Sequence, residues 1–253
     1  MQTSKLIYHL RKWYPKSVGY PGDFIGLQTG KFKKETNTVL LCLDFDTDVF
    51  NKIKNEKIDL ILTHHPLIYG KRKEVLEADH VKRALVKRVD KLKIPVYSMH
   101  TNFDAGVDGM NDNLAKAIGL KNIKPLKSDP MFRGGNLKEA MEVNTFARYV
   151  KKALNLPSLY LINRGKKMVK KVAICGGAAG GCFKMAQDEG YDIFISGDAP
   201  HHIRHDVNCY QFNYLEIWHE AEQIFIPVIA RRLRTLDKKI KIIMVSQPYP
   251  KVL

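Results

Sequence analysis

A chain of 253 residues with 45% hydrophobic and 27% charged side chains has the make-up of a globular protein, long enough for one large core or two small ones. No apolar run approaches the roughly 20 residues that span a bilayer. The N-terminal segment lacks a continuous apolar stretch and a small-residue cleavage site, so a cytoplasmic location is expected. The 42 Lys and Arg against 26 Asp and Glu leave a net charge of +16, which either draws phosphate-bearing partners or lies scattered on solvated helix faces.

In chain order, Leu6, Leu10 and Trp13 mark one face of an amphipathic helix. Val39 to Asp44 reads as a strand, Val49 to Lys57 as a short helix, and Leu60-Ile61-Leu62 as a buried strand that Pro66 stops. That strand delivers His64 and His65 side by side. Adjacent strand residues face opposite ways, so the pair chelates one ion poorly. At a strand end that bends away, it can serve two neighbouring ions. An isolated His-His pair is more often a hydrogen-bonded surface pair, but two further stretches shift the balance. Pro95 to Met99 is another apolar strand, running into His100 and Asp104. Leu215 to Trp218 delivers His219, with Glu222 three residues on, a spacing that puts an imidazole and a carboxylate on one helical face. Three strand ends carrying His with a carboxylate or a second His predict a metal site of nitrogen and oxygen ligands. The four cysteines have no paired spacing and read as reduced thiols.

Between these stretches, Asp112 to Ile118 is helical with Gly119 as its stop. Lys127 to Pro130 and Gly134-Gly135 read as turns before the segment Leu137 to Leu154 and the strand Leu159 to Ile162. Val172 to Cys175, Phe183 to Glu189 and Ile193 to Asp198 then repeat the strand, helix, strand order of the first half. The glycine-rich turn Cys175 to Gly181 suits either phosphate binding at a helix start or close backbone packing. His201 and His202 either line a cleft as acid-base groups or cap the following helix. Arg164 to Lys171, and Arg231, Arg232 and Arg234 with Lys238, Lys239 and Lys241, are the densest basic clusters. No aromatic interleaving accompanies them, so DNA is a partner by charge alone.

The expected fold is α/β: two pseudo-symmetric βαβ-containing halves packed around a shared dinuclear metal cleft. The halves run about 1–120 and 169–253 and are joined by 121–168 within a single domain, 1–253.

The same residues are similar to the GTP cyclohydrolase 1 type 2 family, also described as Ngg-interacting-factor-like proteins. Gly26-Leu27-Gln28 with Gly30 resembles its early glycine turn, Leu60 to Ile68 its double-His strand, and His100-Thr101-Asn102-Phe103-Asp104 its His-Thr-Asn-x-Asp element. Cys175 to Gly181 resembles its second glycine turn, Ser196 to His202 its Thr-Gly-Asp segment, and His219 with Glu222 its C-terminal pair. Trp218 stands where the family usually has glycine. The resemblance implies His64, His65, Asp104, His219 and Glu222 as metal ligands, His100 as a near neighbour, and a cytoplasmic homohexameric ring.

The expected function is a hydrolase dependent on two divalent ions per chain (Zn, Mn, Fe or Ni), acting on GTP, a related nucleotide or another phosphorylated small molecule. His100, His201 and His202 are its candidate proton-transfer residues. The rival is a basic, ring-shaped metal-binding protein that binds nucleic acid or a protein partner without catalysis. Metal-dependent turnover separates the two.

Overall fold

The structure, a computed structural model, describes residues 1–252 and divides into two compact units. Unit 1 comprises Met1–Val107 and Phe225–Pro248; unit 2 comprises Asp108–Ile224 and Tyr249–Leu253, described to 252.

The first pass through unit 1 gives α1 (Thr3–Trp13), β1 (Gly26–Thr29), β2 (Thr38–Cys42), α2 (Thr47–Ile53), β3 (Leu60–Thr63), α3 (Arg72–Ala78), α4 (His80–Leu92), β4 (Val96–Ser98) and α5 (Thr101–Ala105). Unit 2 follows with α6 (Met110–Ala117), β5 (Lys121–Pro125), β6 (Arg133–Glu142), α7 (Val143–Ala153), β7 (Tyr160–Asn163), β8 (Met168–Ile174), α8 (Phe183–Asp188), β9 (Ile193–Ser196), α9 (His201–Cys209) and β10 (Asn213–Glu216). A 3-10 turn (His219–Ile224) ends unit 2, and the chain returns to unit 1 as α10 (Phe225–Leu236) and β11 (Lys241–Met244).

Local chemistry sets these boundaries. Leu6, Ile7 and Leu10 are the buried face of α1, and Arg11 and Lys12 favour its C-terminal end. Asp46 and Asp79 start α2 and α4 by accepting hydrogen bonds from Val49 N at 2.7 Å and Lys82 N at 2.8 Å. Gly119, at φ +76°, stops the chain after α6.

The sheet of unit 1 has the order β1-β4-β3-β2-β11, with β1 antiparallel and the other neighbours parallel. The sheet of unit 2 has the order β5-β6-β8-β9-β10-β7, with β8, β9 and β10 parallel and the remaining pairs antiparallel. All four residues of β3 and of β9 are buried, as expected for strands covered on both faces. The mixed α/β class is therefore as expected. Among the described residues, no helix is long and apolar enough to cross a membrane.

Two features differ from expectation. The stretch 121–168, expected as a join, supplies β5, β6, α7 and β7 of unit 2. Gly134 and Gly135, expected in a turn, lie inside β6. A Cβ on Gly134 would fall 1.8 Å from the Tyr191 hydroxyl, so glycine there makes room for a ring rather than bending the chain.

Each unit anchors the start of its central strand with the same device. Asp59, just before β3, accepts from Asn37 N and Thr38 N at 3.0 and 3.1 Å and from Lys33 Nζ at 3.0 Å. Asp192, just before β9, accepts from Lys170 N and Lys171 N at 2.9 and 2.8 Å and from Lys166 Nζ at 2.6 Å. Burial alone would raise both carboxyls, but these donors outweigh it and hold them below the ordinary value of 3.8. A depressed carboxyl adds stability above its ordinary pKa, and that stability is lost as pH falls through the folded-state value. Asp192→Asn should therefore lose about 1 kcal/mol of unfolding free energy at pH 7, by leaving part-buried donors short of an acceptor. In urea titrations at stepped pH, the gap to the parent should close below pH 3.8. A gap that persists there would refute the account.

Candidate metal centre

Register brings the polar strand ends of unit 1 together. Thr63, the last residue of β3, pairs with Ser98, the last of β4, so His64, His65 and His100 leave the sheet at one edge. His64 N and His65 N both donate to Leu43 O, at 3.2 and 3.1 Å, which bends the chain after β3. Thr63 Oγ1 donates to His65 O at 2.7 Å and fixes that bend. Adjacent histidines can then act together, with ring centroids 4.9 Å apart. His100 lies 5.4 Å from His64 and 5.9 Å from His65 by the same measure. Ligand atoms of the three imidazoles fall within 4.8 Å of one another. Asp104, one turn along α5, brings Oδ1 to 3.4 Å from His64 Nε2.

Each ring is held through Nδ1. His64 Nδ1 lies 2.9 Å from Met99 O, a carbonyl that can only accept, so Nδ1 carries a proton and Nε2 is the nitrogen facing Asp104. His65 Nδ1 lies 2.8 Å from Asp44 Oδ1, and His100 Nδ1 lies 2.9 and 3.0 Å from the two oxygens of Asp23. Asp23 also accepts from Thr101 N at 3.1 Å and Thr101 Oγ1 at 2.5 Å. Burial opposes its charge, but the His100 and Thr101 hydrogen bonds overcome this and keep the carboxyl ionised well below the usual range. Phe103 and Phe225 flank the buried His64 ring at 6.0 and 5.7 Å and remove solvent from that side.

In unit 2, Ser196 of β9 pairs with Glu216 of β10, and the edge beyond them carries Asp198 and His219. His219 Nδ1 lies 2.5 Å from Asp198 Oδ2, and its Nε2 lies 3.1 Å from Glu222 Oε2. The 3-10 turn suits this pair, because residues three apart eclipse there. Glu222 is buried. The glycine turn makes room for it: a Cβ on Gly176 or Gly177 would sit 2.9 Å from Glu222 Oε1. Of the two roles considered for that turn, the geometry supports close packing. Gly177 also has φ +66°, a region glycine adopts without strain.

The sequence-predicted residues thus divide. Unit 1 brings together His64, His65, His100 and Asp104, and unit 2 brings together His219 and Glu222. His201 and His202 open α9, both exposed, and neither belongs to a metal-holding group among the described residues. Sequence reasoning missed Asp23, Asp44 and Asp198, whose role is to grip imidazoles. The donor chemistry fits a divalent transition metal: imidazoles fixed in the Nδ1–H form, with carboxylates beside them. Among the arginines of the basic cluster, Arg232 is occupied within unit 1. Its guanidinium covers the Trp13 and Tyr14 rings at 5.2 and 5.1 Å and donates to Val107 O at 3.2 Å.

Strand ends carrying these histidines belong to a recognisable class of proteins. The model of the Duf34/NIF3 family (NGG1p interacting factor 3) matches residues 1–250, and the chain belongs to that family. A Lactococcus lactis protein named GTP cyclohydrolase 1 type 2 homolog is 31% identical over 246 residues, which is 96% of this chain and 95% of the relative. A Clostridium perfringens protein of the same name is 29% identical over 252 residues, 96% of each. Among solved structures, a hypothetical protein of Staphylococcus aureus superposes with a TM-score of 0.88 at 24% identity, covering 100% of this chain and 99% of its own. A Bacillus cereus protein related to NIF3 gives 0.88 at 21% identity, with coverage of 100% and 99%. These two show the fold.

The packing of the glycine turn can be tested against a matched control. Gly177 and Gly190 both adopt positive φ, +66° and +76°, but a Cβ on Gly190 meets nothing within 4 Å. Alanine at either should cost about 1–2 kcal/mol of backbone strain. Gly177→Ala should cost more and also reduce uptake of a divalent ion, read by urea unfolding and metal analysis. Equal effects of the two substitutions would show that the turn does not shape the Glu222 site.

Proposed function

We propose that this chain is a hydrolase dependent on two divalent ions, Zn, Mn, Fe or Ni, acting on GTP or a related nucleotide. The proposed ligands are His64, His65, Asp104, His219 and Glu222, which assigns both units to one centre. The observation that carries the reading is the shared preparation of the imidazoles. His64, His65 and His219 each have Nδ1 within 2.9 Å of a carbonyl or carboxylate oxygen, which makes Nε2 the coordinating nitrogen, and His100 is held through Nδ1 in the same way. The relatives' printed name supports the nucleotide part.

Bound in pairs, such ions lower the pKa of a water and polarise the group it attacks. The protein's own contribution is to hold the ligands and to handle the proton. His100 is the group assigned to the proton. Its ring joins those of His64 and His65, and the ionised Asp23 stabilises the imidazolium that forms when Nε2 takes a proton. His201 and His202, exposed at the start of α9, are the weaker candidates. The Phe103 and Phe225 rings beside His64 keep that side dry, which strengthens the local electrostatics.

The finer architecture belongs to the same reading. Both units run an antiparallel edge strand into three parallel strands, β1 with β2-β3-β4 and β7 with β8-β9-β10, and both use the aspartate anchor. We read them as pseudo-symmetric halves. A cytoplasmic homohexameric ring completes the reading, and sedimentation of the purified chain tests that part.

Purified protein should contain close to two divalent ions per chain. His65→Ala and Glu222→Gln should each lose at least one, because a rigid site cannot recruit a substitute at bonding distance. Nucleotide hydrolysis should vanish with chelator and return with Mn or Zn, and His100→Ala should lower kcat by about 100-fold or more with metal retained. Full metal content in both ligand variants would overturn the ligand set. Metal without turnover across a nucleotide panel would favour the nucleic-acid or protein-binding alternative.

A further inference from the structure

Unit 2 holds a cavity of about 350 Å³ beside His219, lined by Leu159, Tyr160, Asp198, Glu216, Ile217, Trp218 and Glu220 as well as His219 itself. Two large rings, Tyr160 and Trp218, line it. Trp218 is pinned through Nε1, which donates to Ser158 Oγ at 3.1 Å, and its ring meets Tyr249 edge-on at 6.3 Å. Tyr160 lies opposite Glu216 in the register of β7 and β10 and remains 64% exposed, so its ring is open to a ligand. The Arg204 guanidinium sits 5.1 Å from the Tyr160 ring centroid and makes a fork to Glu216 at 2.7 and 2.8 Å, which steadies both.

The charges in the lining are of one sign. Asp198, Glu216 and Glu220 are carboxylates, and no Lys or Arg lines the space. Such a cavity repels a phosphate. Two of its carboxylates already have duties, Glu216 with Arg204 and Asp198 with His219. Glu220 is therefore the acceptor available to a ligand. Flat aromatic walls with a carboxylate at the rim favour a planar ring that carries N–H donors.

We propose that this cavity is the subsite for a planar, amino-bearing heteroaromatic ring, stacked on Trp218 and Tyr160 and held through its N–H groups by Glu220. It deepens the nucleotide reading by naming the part of the substrate that binds beside His219. It rests on that reading only for the reaction, since every residue invoked belongs to unit 2.

The test uses the full chain and 2-aminopurine riboside, whose fluorescence is quenched on stacking. The riboside should bind, and binding should survive chelation of metal. Trp218→Leu and Glu220→Gln should each weaken it by about tenfold or more, the scale of one lost stacking platform or one charged hydrogen bond. Trp218→Phe, which keeps a ring and should keep the fold, should retain most of the affinity. Ribose 5-phosphate and tetramethylammonium should not compete. Failure of the parent to bind, equal affinity in Trp218→Leu and the parent, loss of binding on chelation, or competition by tetramethylammonium would each overturn the subsite. None of those outcomes touches the metal content on which the hydrolase reading is judged, so the two can fail separately.

Discussion

Hydrogen bonds from imidazole Nδ1 atoms to a backbone carbonyl or to aspartate carboxylates are the constraint around which the candidate site is arranged. An imidazole at a strand end can rotate and change tautomer, and in that state it is a poor metal ligand. Met99 O removes that freedom from His64, and it is placed by Met99 N donating to Thr63 O at 2.9 Å across the β3–β4 boundary. Unit 2 repeats the backbone half of the device, with Ile217 N donating to Ser196 O at 2.9 Å before His219. Strand register therefore sets side-chain chemistry. The aspartate anchors at Asp59 and Asp192 matter for the same reason: they pin the starts of β3 and β9, whose far ends lead to the histidines of their own units.

The strands, the double histidine, His100, Asp104, His219 and Glu222 were legible in the sequence because each signal is local. A buried run followed by a polar cluster shows in a window of ten residues. The gripping carboxylates were not legible. Asp23 is 77 residues from His100, Asp44 is 21 from His65, and Asp198 is 21 from His219, so no periodicity links them. Asp198 alone had a visible signal, as the end of a strand corresponding to the one that delivers His64 and His65. The glycines failed in another way. Gly134 was read as a turn and Gly176–Gly177 as either of two things, since glycine reports only that a side chain is excluded. What excludes it, the Tyr191 ring or the Glu222 carboxylate, comes from distant chain.

Formal charge was the least informative number. Of the 42 basic residues, several have structural partners that a count hides. Lys33 and Lys166 complete the two aspartate anchors, Arg204 holds Glu216, and Arg232 covers Trp13 and Tyr14. Arg133 lies buried against Asp112, the acidic residue in the first turn of α6. Such groups are poor candidates for phosphate contacts, because releasing them would strand a carboxylate or uncover a ring. Any polyanion surface must be built from the remaining lysines and arginines.

The residues of the candidate site are, by contrast, carboxylates and histidines. In unit 1, Asp23, Asp44 and Asp104 lie against His100, His65 and His64, and in unit 2 Asp198 and Glu222 lie against His219, in a protein of net charge +16. Gathering that many carboxylates costs electrostatic energy unless cations offset it. Hydrogen bonds offset part of it, as the His100 and Thr101 bonds do for Asp23. Asp104 and Glu222 instead stand beside a histidine Nε2, at 3.4 and 3.1 Å, where two atoms that both accept hydrogen bonds in the Nδ1–H form gain nothing from each other. Either a proton or a metal ion must mediate such a contact. Because Met99 O can only accept, a proton on His64 Nε2 would make the buried ring a cation beside Asp104, and in the proposed centre a divalent ion would take that proton's place while the Met99 tether stays as it is.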